Sequence, residues 1–167
     1  MRLPSPLLAA RMRRNGIKHP VWTYQYAALH HVPLPVACAI LMEESSGGDN
    51  VFGHDPTVAA GWGTVTKAKY LAYRHLRDAS SPPRCQGVGP MQLTSRGLQQ
   101  EADELGGCWK PRWNIAVGMH YLQGCLDAYP RDLHAGVARY NGSGPAAEAY
   151  ATRVLTLADH FRAVLGV

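Results

Sequence analysis

Long hydrophobic runs are missing from this chain of 167 residues. None reaches the 18 apolar residues that mark a membrane-spanning helix. Acidic residues are few and late: 12 Asp and Glu stand against 17 Lys and Arg, for a net charge of +5, and no acid precedes Glu43. That balance favours an anionic partner or surface without demanding nucleic acid. The four cysteines, Cys38, Cys85, Cys108 and Cys125, form no C-x-x-C pair, so a structural zinc site is not expected. His30-His31 has no metal partner at helical spacing, and no metal or cofactor is expected. Gly87-Val88-Gly89-Pro90 lacks the Gly-Lys-Ser/Thr that would make it a phosphate-binding loop. No Gly-x-Ser-x-Gly elbow is present, nor any repeat, linker or low-complexity tract. Leu7-Leu8-Ala9-Ala10 is too short for the core of a secretory leader and runs into Arg11, Arg13 and Arg14.

What is present reads as short helices joined by Gly/Pro turns. Apolar residues make up 46% of the chain and charged residues 17%, a globular composition. A mainly α fold is expected, as one domain over residues 1–167 with a basic lead at about 1–32 and a core at about 36–154. Leu7 to Arg14 reads as a helix stopped by Asn15-Gly16, and Val21 to His31 as a second stopped by Pro33. Pro35 to Glu44 is almost wholly apolar and so buried on most sides. Residues 49–64 break into turns with short β-like pieces, and Thr66 to Arg77 is helical again. Thr94 or Ser95 caps a helix carrying Leu98, Ala102 and Leu105 on one face. Ile115, Met119, Leu122, Leu126 and Tyr129 mark the next helix, and Leu133, Val137 and Tyr140 another. Pro145 opens the last, with Tyr150, Val154, Leu157, Phe161 and Leu165 facing the core.

Cys38 and Cys125 read as buried thiols, while Cys85 and Cys108 lie in turns where a disulfide and free thiols are both open. The lead, with Arg2, Arg11, Arg13, Arg14 and Lys18, is either an ordinary surface helix or a dock for a polyanion such as a cell wall, a phospholipid face or RNA. Trp62 in its Gly-Trp-Gly turn is expected to be exposed, and Trp113 to belong to the core. Asn141-Gly142-Ser143 fits a glycosylation sequon, but a turn before Pro145 explains it equally well.

Glu43-Glu44 closes the most apolar helix. Burial and the negative end of the helix dipole both disfavour a carboxylate there and raise its pKa. A carboxylic acid that keeps its proton near neutral pH is what a general acid requires. The alternative is two glutamates fraying into solvent. Periodicity does not choose between the two residues, since Glu44 aligns with Ala37, Ile40 and Leu41, and Glu43 with Val36, Ala39 and Ile40.

Four segments in order change that balance: Ala39-Ile40-Leu41-Met42-Glu43-Glu44-Ser45, Gly87-Val88-Gly89-Pro90-Met91-Gln92-Leu93-Thr94, Asn114-Ile115-Ala116-Val117-Gly118-Met119-His120-Tyr121-Leu122, and Ala138-Arg139-Tyr140-Asn141-Gly142. Together they resemble the soluble lytic transglycosylase and goose-type lysozyme group. The stretch from Glu44 to Pro56 also resembles the glycosidase domain of lysins from phages of actinobacteria. Pro90, and Asn-Gly-Ser-Gly after Tyr140, depart from the pattern of many relatives without removing a chemical group.

The resemblance implies a lysozyme-like α+β fold, a helical bundle with a small β region and a cleft for the glycan strands of peptidoglycan. It implies Glu44 as general acid, because Ser45 follows it. It implies Ser45, Met91, Gln92, Tyr140 and Asn141 as substrate neighbours. A raised-pKa glutamic acid in an apolar pocket is the device of lysozymes. The second step then uses either a carboxylate that activates water, for which Asp55 between His54 and Pro56 is the candidate, or the sugar's own 6-hydroxyl, giving a 1,6-anhydro end. For Asp55 the alternative is a turn-forming side chain bonded to its own backbone. The expectation is a phage-type lysin, made in the host cytoplasm without a signal peptide, monomeric, and acting on the bacterial wall. Its competitors are a non-catalytic wall-binding module on the same fold and a small nucleic-acid binder resting on the N-terminal charge alone.

Overall fold

The computed structural model describes residues 2–53 and 63–167. Among them the chain forms eight helices: α1 (Pro6–Arg14), α2 (Pro20–Leu29), α3 (Leu34–Ser45), α4 (Lys67–Ala79), α5 (Arg96–Glu104), α6 (Pro111–Asp127), α7 (Leu133–Asn141) and α8 (Pro145–Leu165). The fold is mainly helical, as expected. No described helix is long and apolar enough to cross a membrane.

The helix ends follow local chemistry. Ser5, Thr66, Ser95 and Asp132 each accept a backbone N–H from three residues on, capping α1, α4, α5 and α7. Prolines open α1, α2, α3, α6 and α8, where the missing N–H costs nothing.

Val36, Ala37, Cys38, Ala39, Ile40 and Leu41 of α3 are all fully buried, so this helix forms the centre of the molecule. α8 lies along it, and α2 flanks it. The buried residues of α3, α6 and α8 join one core cluster that also takes in Phe52, Val88 and Met91 from the loops.

The β-like pieces are smaller than a sheet. Among the described residues they are two isolated antiparallel bridges, Val51 to Thr64 and Phe52 to Val88. Residues 50–53 are laced on both sides: Phe52 N donates to Gly63 O at 2.9 Å and Val65 N to Asn50 O at 2.7 Å, while Gly53 N donates to Gly87 O at 2.8 Å and Gly89 N to Val51 O at 2.9 Å. This segment, just after α3, is thereby bonded to the loop before α5.

Three apolar positions differ from the sequence reading. Leu105 and Tyr129 lie just past the ends of α5 and α6, at 46% and 41% exposure, and Leu133 opens α7 at 41%. Each sits where its helix has ended or just begun, so the helical period no longer fixes which way it faces.

Candidate active site

α3 carries Glu43 and Glu44 in its last turn, and the helix then closes on Ser46 in the left-handed region at φ 51°. The choice between the two carboxylates is made by α8. Arg153 Nε donates to Glu43 Oε1 at 2.7 Å on the exposed side. One turn earlier, the hydroxyl of buried Tyr150 donates to Glu44 Oε1 at 2.5 Å. Burial, opposed by the Tyr150 hydrogen bond and aided by the charge of Glu43, pushes the Glu44 carboxyl up to about 7. Desolvation dominates, as the sequence argument required. Burial and the nearby Glu44 in turn push the Tyr150 phenol far above its ordinary value, so it stays a donor.

Facing Glu44 is the loop 87–93, which other elements hold in place. Asn114, wholly buried in α6, receives Met91 N on its Oδ1 at 2.8 Å and donates from Nδ2 to Val88 O at 2.7 Å. Gly89 sits against that amide at φ +75°, and a Cβ there would fall 2.6 Å from Asn114 Nδ2. One turn along α6, Gly118 lies under the Met91 side chain, and a Cβ would meet Met91 Cβ at 2.5 Å. The Asn-Ile-Ala-Val-Gly run is thus a seat for the loop. Ser45 Oγ donates to Pro90 O at 2.6 Å, and Tyr140 OH to Met91 O at 2.8 Å.

Behind the loop a buried polar network fixes its outer edge. Gln99 Nε2 donates to Gln86 O at 2.8 Å and to Leu93 O at 2.7 Å. Its Oε1 accepts Arg77 Nη1 at 2.6 Å and Tyr73 OH at 3.2 Å. Arg77 is fully buried yet paired with Asp78, which satisfies the charge.

Glu44, Gly53, Cys85, Gln86, Gly87, Gln92 and Thr94 line a cavity of about 270 Å³. Gln92 stands at φ 46°, and its Nε2 donates to Val51 O at 3.1 Å and Gly89 O at 2.9 Å. The arrangement places one carboxylic acid with a pKa near neutrality beside amide groups and small residues that let a ligand approach. That is the outfit of a general acid. Among the described residues, no group of three or more His, Cys, Asp or Glu is placed to hold a metal.

The structure brings together Glu44 and Gln92 on the cavity, with Tyr140 adjoining through Met91. Two others it places in the wall of the loop: the Ser45 side chain is buried, with its hydroxyl on the carbonyls of Leu41 and Pro90, and the Met91 side chain is fully buried. Asn141 is exposed at the end of α7. Asp55 and Trp62 lie outside the described residues. Asp49, the other acid following α3, pairs with Lys18 at 2.5 Å. All four cysteines are free thiols: Cys38, Cys108 and Cys125 are buried, and Cys85 is half-buried on the cavity.

Sequence reasoning missed Tyr150 and Asn114 as site residues. The signal for Tyr150 is a phenol on the core register of α8, because a buried hydroxyl must find a polar partner. Comparison with protein-family models, with curated proteins and with solved structures gave no match.

Proposed function

We propose that this protein is a peptidoglycan glycosidase of the phage-lysin type, cleaving the β-1,4 bond between N-acetylmuramic acid and N-acetylglucosamine, with Glu44 as general acid. The observation that carries the reading is the Glu44 carboxyl itself, half-buried, raised to about 7 and opening on a cavity. The ordered motifs around it support the same reading, since Asn114, Gly118 and Tyr140 each act on the loop that faces Glu44.

In this mechanism Glu44 gives its proton to the glycosidic oxygen as the C1–O bond breaks and the electron pair leaves with that oxygen. The oxocarbenium-like centre is then captured by an oxygen nucleophile, and the Glu44 carboxylate takes the proton that the nucleophile loses. Tyr150 keeps the carboxyl oriented, and Gln92 offers its side-chain oxygen beside the leaving sugar.

A second reading concerns the nucleophile. Among the described residues Glu44 is the one carboxylate on the cavity. In one route this single residue serves as acid and then base while the sugar's 6-hydroxyl attacks, the lytic transglycosylase outcome. Water activated by Asp55 gives the hydrolase outcome.

Mass spectrometry of products from purified peptidoglycan tests both. Reducing muramic ends that vanish in Glu44→Gln make the protein a hydrolase, and Asp55→Asn is then the next variant. Anhydro ends, lighter by one water, make it a transglycosylase. No cleavage by the native protein, with wall binding retained, refutes the enzyme reading and leaves a binding module.

A further inference from the structure

The outward side of α1 carries both apolar and basic side chains. Ala9 and Met12 turn inward, at 7% and 0% exposure. At 100° per residue the far side of the helix belongs to Leu7 and Arg14, with Arg13 on its flank. Leu3, in the non-helical lead before the Ser5 cap, is 66% exposed, and Leu7 is 59% exposed. Arg2, Arg13 and Arg14 are exposed, and among the described residues no acid pairs with them. Arg11 Nη1 donates to Leu165 O at 2.9 Å, which fastens α1 to the end of α8.

Beside Arg13 lies a hollow of about 180 Å³ lined by Arg13, Lys18, His19, Pro20, Val21 and Trp22. Arg13 stands on its rim beside Lys18, whose charge is shared with Asp49, and its wall is apolar, with the His19 ring stacked on Trp22 at 5.2 Å. This suits a phosphodiester headgroup flanked by hydrocarbon.

We propose that Leu7 and Arg14 on the outer face of α1, with the flanking Arg13, the preceding Arg2 and Leu3 and the hollow at Trp22, seat the protein on an anionic phospholipid bilayer. The cations alone would suit any polyphosphate, including a wall polymer or RNA. The leucines decide between them. Two large apolar side chains held in water beside three unpaired arginines gain from an apolar phase, and only a bilayer offers one next to its phosphates. α1 has nine residues, so it lies in the interface and does not span. The surface shares no residue with the Glu44 cavity, so the inference stands apart from the glycosidase reading.

Co-sedimentation of the full chain with vesicles tests this, using equal parts phosphatidylglycerol and phosphatidylcholine against phosphatidylcholine alone. Binding to the anionic vesicles is expected, falling as salt rises. Each basic residue at such a surface contributes about fivefold, so Arg13→Gln with Arg14→Gln should weaken binding about twenty-five-fold. Leu3→Ser with Leu7→Ser should abolish vesicle binding while leaving retention on immobilised inorganic polyphosphate unchanged. Circular dichroism confirms that both double variants fold. Failure of the native protein to bind anionic vesicles at low salt overturns the proposal. So does vesicle binding undiminished in the leucine variant, which would reveal a site for soluble polyanions instead.

Discussion

Replacing Glu44 by Gln should make the protein more stable, and only above a certain pH. The unfolded chain holds this carboxyl at its ordinary value of 4.5, whereas the folded protein holds it at about 7. A group whose pKa rises on folding contributes fully below the unfolded value and loses that contribution as pH climbs through the folded one. The native protein therefore loses stability between about pH 4.5 and 7 on account of this residue. The gap corresponds to about 3 kcal/mol at pH 8. A glutamine side chain in its place keeps an oxygen for the Tyr150 hydroxyl and carries no charge, so it escapes the loss. Urea denaturation of both proteins at intervals from pH 4 to pH 8.5 isolates the effect, because every other titrating group cancels in the difference. The two proteins should agree near pH 4 and diverge through pH 7, with the variant the more stable. Parallel profiles would refute the claim that Glu44 is held in a desolvating site, and the general-acid argument with it.

Tyr150→Phe removes the one hydrogen bond that favours the Glu44 carboxylate, so the alkaline limb of glycan cleavage should move up by about one pH unit, read from pH–rate profiles. Glu43→Gln removes a like charge beside Glu44 and should move the same limb down, with little change in stability because the Arg153 side of the pair is exposed. Asn114→Ala leaves Met91 N and Val88 O buried without their partner and should cost about 3 kcal/mol in urea denaturation, with cleavage falling as the loop loosens. A small maleimide should react at half-buried Cys85 before the three buried thiols and block cleavage, and Cys85→Ser should be protected. Full activity after stoichiometric labelling at Cys85 would show that the cavity is not the active site.

What can be read from the sequence is whatever a single segment decides. The cap at Ser95 and the prolines at 35 and 145 announce their helices, and the apolar run 36–42 announces its own burial, because each is a property of adjacent residues. The pairing of elements is less legible. Residues 50–53 do read as β-like, but their partners at 63–65 and 87–89 cannot be known from a pattern only a few residues long. Two apolar stripes point equally at Glu43 and Glu44, and periodicity goes no further than that. The residues that separate them, Tyr150 and Arg153, lie more than a hundred positions along the chain, on a helix that a 3.6-residue period places against the core without saying what it meets there.

The same reasoning explains why the motif residues divide as they do. Gly118, Asn114 and Ser45 all lie in the motif segments, and each is spent on the backbone or side chain of the loop 88–92. A cavity that keeps one carboxyl desolvated while staying open to a ligand needs a wall that does not move. A wall made of loop has no ladder of its own to hold it. The buried polar groups supply that ladder from outside, through Asn114 on α6, Ser45 on α3, Tyr140 on α7 and Gln99 on α5. Most of the motif is therefore scaffolding for the loop, and under the proposed glycosidase reading the group left to do chemistry is the carboxyl of Glu44, whose raised pKa depends on that wall staying closed.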